Sequence, residues 1–254
     1  MRTDPLGRRL LAEFLGSGLL VAAVIGSGIA AAKLSPGEVG LELFENTAAT
    51  VGALVALILA FGPVSGAHFN PIVTLVERLF GGVSTRDALG YIPAQITGAL
   101  GGALLANAMF ALPTFEASTK TRSAGPLWLG EVVATFGLVV VIFGVVRSGR
   151  PSAAPFAVGA YIAGAYFFTS STSFANPAVT IARTISNTFA GIRPSSAPMF
   201  IVMQLIGGCL AAATIRVLYP HIADAARDVM VPHGSNAVGN GSEPRQTPHM
   251  EVRP

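Results

Sequence analysis

The sequence predicts an all-α membrane protein of six transmembrane helices and two re-entrant half-helices, arranged as an inverted repeat. Three observations predict this class. Of the 254 residues, 52% are apolar and only 11% are charged, whereas soluble domains carry about 25% charged residues. Six apolar windows approach the ~20 residues that a helix needs to cross a bilayer core. An Asn-Pro dipeptide recurs in two similar apolar segments, "HFNPIVTLVER" and "SFANPAVTIAR".

The six predicted spans cover most of the chain. They are Leu10–Ala32, Leu43–Pro63, Ala88–Leu112, Leu127–Val146, Ala153–Ser170 and Pro198–Leu218. The first span is not a cleaved signal sequence, because it is too long, contains Glu13 and belongs to a pattern that recurs later. Six spans place both termini on the same side of the membrane.

The basic residues predict which side that is. The segment before the first span contains Arg2, Arg8 and Arg9, and the fourth-to-fifth connection contains Arg147 and Arg150, whereas the opposite set of loops contains Lys33, Lys120 and Arg122. Under the positive-inside rule this excess predicts cytoplasmic termini. A net charge of +3 is too small to indicate a nucleic-acid partner, and the single Cys209 excludes an internal disulfide.

The two halves of the chain match in order and chemistry. Glu13 corresponds to Glu131, Asn70 to Asn176, and Gln95 to Gln204. Because each half holds three spans, an odd number, the second half enters from the opposite face as an inverted repeat. The predicted segments are an N-terminus (1–9), a first repeat (10–112), a connecting loop (113–126), a second repeat (127–219) and a disordered tail rich in Gly, Pro, Ser and Asn (220–254).

Each Asn-Pro dipeptide predicts the start of a half-helix, over residues 70–80 and 176–187. Asn is a preferred N-cap, and Pro suits the first helical position. Non-helical backbone at membrane depth is tolerated where it lines a cavity, so the peptides before Asn70 and Asn176 predict a pore. The two helix tips would meet near the midplane, each with roughly half a positive charge, and would repel cations and protons.

The carboxylates inside the spans allow two interpretations. Glu13 and Glu131 could form an ion relay, or each could accept backbone N–H groups from a re-entrant loop. Their repeat-related positions favour the second interpretation. Gln95 and Gln204 are interpreted as interhelical hydrogen-bonding groups.

These features resemble the aquaporin and aquaglyceroporin superfamily. The resemblance rests on two boxes, Asn70-Pro71-Ile72 and Asn176-Pro177-Ala178, on "SGAHFNP" before the first half-helix, and on Glu13 and Glu131 near the starts of their spans. It implies a homotetramer in the bacterial inner (plasma) membrane, passive transport of water or small neutral solutes, and His68 as a loop-supporting residue. Ile72 stands where the family usually has Ala.

The resemblance also implies a selectivity constriction at Thr50, Gly164, Ser173 and Val179. Val179 occupies the position where the family usually has Arg, and none of the four is bulky or charged, so a wide passage is expected. This set resembles the bacterial aquaglyceroporins associated with arsenic detoxification, which implies arsenite as As(OH)₃ and methylated arsenicals as solutes. Arg183, one helical turn beyond Val179, could replace the missing charge in the outer vestibule or extend to the membrane interface. The sequence leaves both open.

The predicted function is a passive channel for small uncharged solutes in the lipid bilayer, with no cofactor and no metal. The alternatives are a water-selective channel, a secondary active transporter, which also uses inverted repeats and broken helices, and a junctional protein without flux. No nucleophile, metal-ligand constellation or phosphate-binding loop indicates an enzyme.

Overall fold

The computed structural model describes residues 5–220, which form eight α-helices joined by loops. The helices are α1 (Leu6–Leu34), α2 (Val39–Ser65), α3 (Pro71–Leu79), α4 (Thr85–Met109), α5 (Gly125–Arg147), α6 (Ala154–Phe168), α7 (Pro177–Ala182) and α8 (Ala197–Leu218). Short 3₁₀ turns lie at Pro151–Ala153, Arg183–Ile185 and Pro194–Ser196. The predicted N-terminal segment lies partly, and the predicted tail almost wholly, outside the described residues.

The all-α prediction is confirmed, with differences in helix length. Within residues 5–220, five helices are long and apolar enough to cross a membrane: α1, α2, α4, α5 and α8. The sixth, α6, has 15 residues and rises only about 22 Å. It is shorter than predicted because the chain leaves the helix at Thr169 to enter the loop before α7.

The two half-helices also differ slightly from their predicted bounds. The first is Pro71–Leu79, and the second is Pro177–Ala182 followed by the 3₁₀ turn Arg183–Ile185. Because α2 continues to Ser65, the non-helical peptide before α3 is only residues 66–69. Both half-helices pack against α4 and α8, so each contacts helices from both halves.

Contacts at the helix ends establish the topology. Arg9 near the start of α1 pairs with Asp87 near the start of α4, with an Nη2–Oδ1 distance of 3.0 Å. Lys33, near the end of α1, lies 5.2 Å from the ring of Phe110, just after α4. The helices α1 and α4 therefore run parallel. We call the membrane face at their starts the terminal face and the opposite one the distal face.

Glycines let the parallel helices touch along their backbones. A Cβ on Gly98 would lie 2.1 Å from the carbonyl oxygen of Phe14, and one on Gly102 would lie 2.0 Å from that of Gly18. In the second half, a Cβ on Gly207 of α8 would lie 2.6 Å from the Val132 carbonyl oxygen of α5. Such close backbone approach is typical of helix pairs in membranes.

Large apolar side chains are exposed along the long helices. They include Leu11, Leu19, Leu59, Leu105, Leu129 and Val202. Soluble monomers rarely expose apolar surface on this scale, but hydrocarbon covers it without cost. The protein is a multi-pass membrane protein whose lipid-facing surface surrounds a core built on the two half-helices.

Candidate pore

The tips of the two half-helices meet at the centre of the protein. The side-chain Nδ2 of Asn70 donates to the carbonyl oxygen of Ala175, and Nδ2 of Asn176 donates to that of Phe69, both at 2.8 Å. Each asparagine thus binds the residue that precedes the other. This reciprocal pair joins residues more than 100 positions apart and holds the two boxes in register.

Each asparagine also caps its own helix. Oδ1 of Asn70 accepts from the Ile72 N–H at 2.9 Å, and Oδ1 of Asn176 accepts from Ala178 at 2.9 Å and from Val179 at 3.3 Å. An amide nitrogen has two hydrogens, and the cross-link uses one of them. Within residues 5–220 the second N–H of each asparagine has no partner, so it can donate to a solute beside two helix ends that each carry about half a positive charge.

The loops before the boxes adopt a strained backbone at repeat-related positions. Ala67 and Phe69 have φ of 50° and 49°, and Ser173 and Ala175 have 52° and 48°. Non-glycine residues rarely adopt positive φ, and such strain persists only where surrounding contacts determine it. The same conformation in both halves indicates that the two loops serve the same purpose.

A buried glutamate supports the first loop. The Glu13 carboxylate accepts from the backbone N–H of His68 at 3.0 Å and of Phe69 at 2.8 Å, and from Gln95 Nε2 at 2.8 Å. The same Gln95 nitrogen donates to Thr74 Oγ1 at 2.9 Å. Because the carboxylate consumes the loop's N–H groups, the loop's carbonyl groups can face the opposite side.

The second loop has an equivalent support. Glu131 accepts from the backbone N–H groups of Phe174 and Ala175, both at 2.9 Å, and from Gln204 Nε2 at 2.6 Å. Gln204 also donates to Thr180 Oγ1 at 2.8 Å. In both halves the glutamate therefore directs the loop backbone, the role that its repeat-related position favours.

His68 belongs to the first support. Its Nδ1 lies 3.0 Å from Thr74 Oγ1, and its ring packs edge-on against Tyr91 at 5.3 Å between centroids. The side chain is buried and also lines the central cavity.

We expect Glu131→Gln to destabilise the protein and reduce solute flux. The new NH₂ group would face backbone N–H groups that need an acceptor, and a buried unsatisfied donor costs about 1–3 kcal/mol. Thermal unfolding in detergent and flux per reconstituted protein measure both effects. Glu116→Gln is the matched control, since Glu116 is an exposed loop carboxylate. Equal unfolding temperatures for the two variants would contradict the supporting role of Glu131.

A cavity lies between the two halves, with an empty volume of about 610 Å³ that includes open solvent. Both asparagines line it, together with loop residues 67–69 and 173–175. The opposite wall is apolar and includes Leu20, Val24, Leu54, Ile58, Leu138 and Ile142. The passage therefore presents a polar track on one side and a hydrocarbon wall on the other.

The structure brings three of the four predicted constriction residues to this cavity. Thr50, Ser173 and Val179 line it, whereas Gly164 is exposed on the surface of α6 and lies outside it. Tyr166 takes that place, with its hydroxyl 3.5 Å from Thr50 Oγ1. Residues 164 and 166 point about 200° apart around a helix, so when Tyr166 faces the cavity, Gly164 faces away from it. The prediction for Gly164 is corrected to Tyr166.

Arg183 also lines the cavity and is buried. Its Nε donates to the Ala190 carbonyl oxygen, and its guanidinium carbon lies 3.4 Å from the centroid of the Phe174 ring. Of the two positions that the sequence leaves open, the structure therefore places Arg183 at the passage. We call the end of the cavity formed by Thr50, Tyr166, Ser173, Val179 and Arg183 the distal mouth.

Some residues of the site were not predicted although the sequence contains signals for them. Thr74 and Thr180, which accept from Gln95 and Gln204, occupy the same position in "NPIVT" and "NPAVT". Val158, Ile162 and Tyr166 recur every four residues, the spacing of one helix face, and all three line the cavity. Phe174 shows no comparable signal, because it lies in a loop that follows no period.

Comparison with known proteins agrees with this architecture. The chain matches the family described as Major intrinsic protein over residues 1–173 and again over residues 152–243. It is 50% identical over 218 residues to aquaglyceroporin AqpS of Rhizobium meliloti, covering 86% of this chain and 93% of that protein. It is 31% identical over 264 residues to the glycerol uptake facilitator protein of Pseudomonas aeruginosa, covering 88% of this chain and 93% of that protein.

A solved structure shows the same fold. The X-ray structure of the aquaglyceroporin from Plasmodium falciparum superposes with a TM-score of 0.67 at 20% sequence identity, covering 87% of this chain and all of that one. Similar side chains at the mouth do not follow from an identity this low.

Proposed function

The chain belongs to the major intrinsic protein family and is a passive membrane channel rather than an enzyme, and from this premise we propose that it conducts small uncharged solutes of glycerol size. Water, glycerol, arsenite as As(OH)₃ and methylated arsenicals are the proposed solutes. All of them offer hydroxyl or oxo oxygens to hydrogen-bond donors and acceptors, and none needs a charged binding site.

One observation carries this proposal: the crossed asparagines lie on a cavity whose two sides differ in polarity. The remaining amide hydrogens of Asn70 and Asn176 can donate to a solute, and the loop carbonyl groups can accept from it. The wall with Leu54 and Ile58 can contact carbon-bound hydrogens. A polyol, with hydroxyl groups along one edge and C–H groups along the other, matches both sides.

Val179 supports passage of solutes larger than water. A valine at this position leaves space that an arginine side chain would occupy, and Thr50 and Ser173 beside it are small. Pore diameter and lining donors determine selectivity in such channels.

A water-selective channel is the second candidate, and Tyr166 is the observation that favours it. Its ring lines the distal mouth, and its hydroxyl approaches Thr50 to 3.5 Å. A contact between two walls of the passage narrows it. In a channel for solutes of glycerol size, glycerol passes the Tyr166 ring; in a water-selective channel, it does not.

Stopped-flow light scattering on proteoliposomes tests the proposal. We expect rapid volume changes with water, glycerol and arsenite gradients, with glycerol and arsenite flux linear in concentration and unaffected when ionophores dissipate proton and sodium gradients. Protein-free liposomes are the control. Saturable, gradient-coupled uptake would indicate a transporter, and the absence of any flux would indicate a structural protein. Water flux without glycerol flux would establish the water-selective alternative.

The proposed assembly is a homotetramer in the inner (plasma) membrane with cytoplasmic termini. Exposed apolar side chains such as Phe44 on α2 and Phe156 on α6 supply surface for contacts with other copies. Light scattering of the purified protein with correction for bound detergent measures the number of copies. Reporter fusions at the C-terminus determine its side of the membrane, which also identifies the distal face as periplasmic or cytoplasmic.

A further inference from the structure

We infer that Arg183 excludes cations at the distal mouth and donates hydrogen bonds to the permeating solute, while Val179 determines only the width. An arginine at position 179 would both carry the positive charge and set the width of the passage. In this chain Arg183 carries the charge and Val179 sets the width. This inference rests on the proposed function, because it concerns a channel for uncharged solutes.

The position of Arg183 follows from the end of α7. The helix ends at Ala182, and Arg183 begins the 3₁₀ turn that follows. Four residues separate it from Val179, so its backbone lies about 6 Å farther toward the distal face. Despite this displacement, both residues line the same cavity.

Two contacts hold the side chain there. Nε donates to the Ala190 carbonyl oxygen, and the guanidinium stacks on Phe174. Phe174 is itself fixed, because its N–H donates to Glu131 and its ring packs edge-on against Phe200, 5.1 Å between centroids. The glutamate that supports the second loop therefore also supports the platform on which Arg183 rests.

The terminal nitrogens of Arg183 are left for the passage. A guanidinium has five N–H donors. Of those on Arg183, only the Nε–H has an acceptor within residues 5–220. In this part of the chain the arginine also forms no ion pair with a carboxylate. A buried cation without an anionic partner is costly in a dry environment. Arg183 lines an open cavity, where solute oxygens or water can accept its hydrogens.

A second buried arginine adds to the positive charge. Arg122, from the loop between α4 and α5, lies 5.0 Å from the Phe174 ring and donates through Nε to the Gly191 carbonyl oxygen at 3.0 Å. Backbone bonds fix this loop to the segment after α7, including Ser118 N–H to Thr184 O at 2.9 Å. Two guanidinium groups on one ring create a positive potential at the mouth, separate from that of the half-helix tips.

The experiment compares Arg183→Gln with Arg193→Gln in proteoliposomes. Both remove one positive charge near the distal face, but the Arg193 side chain is exposed and outside the cavity. Glycerol and water flux are measured together with potassium permeability, read from a potential-sensitive dye. For Arg183→Gln we expect potassium permeability to rise at least about tenfold while water flux is retained. Arg193→Gln should stay as impermeable to potassium as the unaltered protein.

Several outcomes decide the inference. If Arg183→Gln is as impermeable to potassium as Arg193→Gln, Arg183 does not exclude cations and the inference is overturned. If the unaltered protein conducts no glycerol, the proposed solute range is overturned instead. The two failures are distinguishable because the potassium measurement does not depend on glycerol flux.

A second variant covers the case in which Arg183→Gln does not fold. Arg183→His carries a charge that pH controls, because histidine titrates near pH 6.5. Burial beside Arg122 lowers the pKa of an imidazole at this position, so the acid measurement is made at pH 4.5. Potassium should pass at pH 8, where the imidazole is neutral, and be excluded at pH 4.5, where it is protonated. The unaltered channel, measured at both pH values, is the control. Equal permeability of the histidine variant at the two pH values would contradict the inference.

Discussion

Gly102→Ala is expected to prevent formation of a stable channel. The added Cβ would lie 2.0 Å from the carbonyl oxygen of Gly18 in α1, and a backbone atom cannot rotate away as a side chain could. Overpacking a core costs about 1–3 kcal/mol when side chains can adjust, and here two helices would have to separate. We expect little monodisperse protein after detergent extraction and a strongly lowered unfolding temperature.

Gly101→Ala is the matched control for this prediction. Gly101 is the adjacent residue of α4, and a Cβ there would meet no atom of the described residues within 4 Å other than those of its own helix turn. Alanine favours a helix over glycine by about 1 kcal/mol, so propensity alone would stabilise both variants slightly. A destabilised Gly102→Ala variant beside a stable Gly101→Ala variant would demonstrate that contact with α1 determines the stability of the channel. Equal yields and unfolding temperatures would refute the close packing of α1 and α4.

Val179→Arg is expected to suppress glycerol flux by about tenfold or more, equivalent to about 1.4 kcal/mol in the barrier, with a smaller loss of water flux. Val179 is buried at the cavity, facing the same passage as Thr50 and Tyr166. An arginine there would occupy the space beside the Tyr166 ring. A solute of glycerol size needs that space, whereas a file of water molecules needs less of it. Stopped-flow measurements with both solutes on the same vesicles determine the ratio.

Val179→Met separates bulk from charge in this second prediction. Methionine lengthens the side chain without adding a cation, so it should also reduce glycerol flux more than water flux, although less than arginine does. If arginine lowered both fluxes equally, or changed neither, Val179 would not lie at the narrowest part of the passage.

The elements that could be predicted from the sequence are those with local or repeated signals. Apolar windows long enough to span a bilayer identified the long helices. The Asn-Pro dipeptides identified the half-helix starts, since capping by Asn70 and Asn176 depends on neighbouring backbone N–H groups. Matching positions in the two halves placed Glu13 and Glu131 beside the loops, because a repeat reproduces each contact with its partner.

The distal mouth could be predicted only in part, from the resemblance, and Tyr166 was not among the predicted residues. Its lining combines Thr50 of α2, Tyr166 of α6 and Arg183 beyond α7, and no local pattern relates the rotation of α6 to that of α2. The resemblance placed Gly164 at the constriction, whereas the rotation of α6 turns Tyr166 toward the cavity. The position that faces the cavity lies two residues after the predicted one, so a tyrosine lines the mouth where a glycine was expected.

The sequence alone determined that this chain lies in a membrane, that its halves are inverted copies and that two helices begin inside it, because hydropathy, repetition and capping are properties of short segments. Only the tertiary structure decided which side chains meet across the passage. Helix rotation and loop path depend on packing between residues more than 100 positions apart, such as Asn70 with Ala175, and the cation–π contact between Arg183 and Phe174 depends on both.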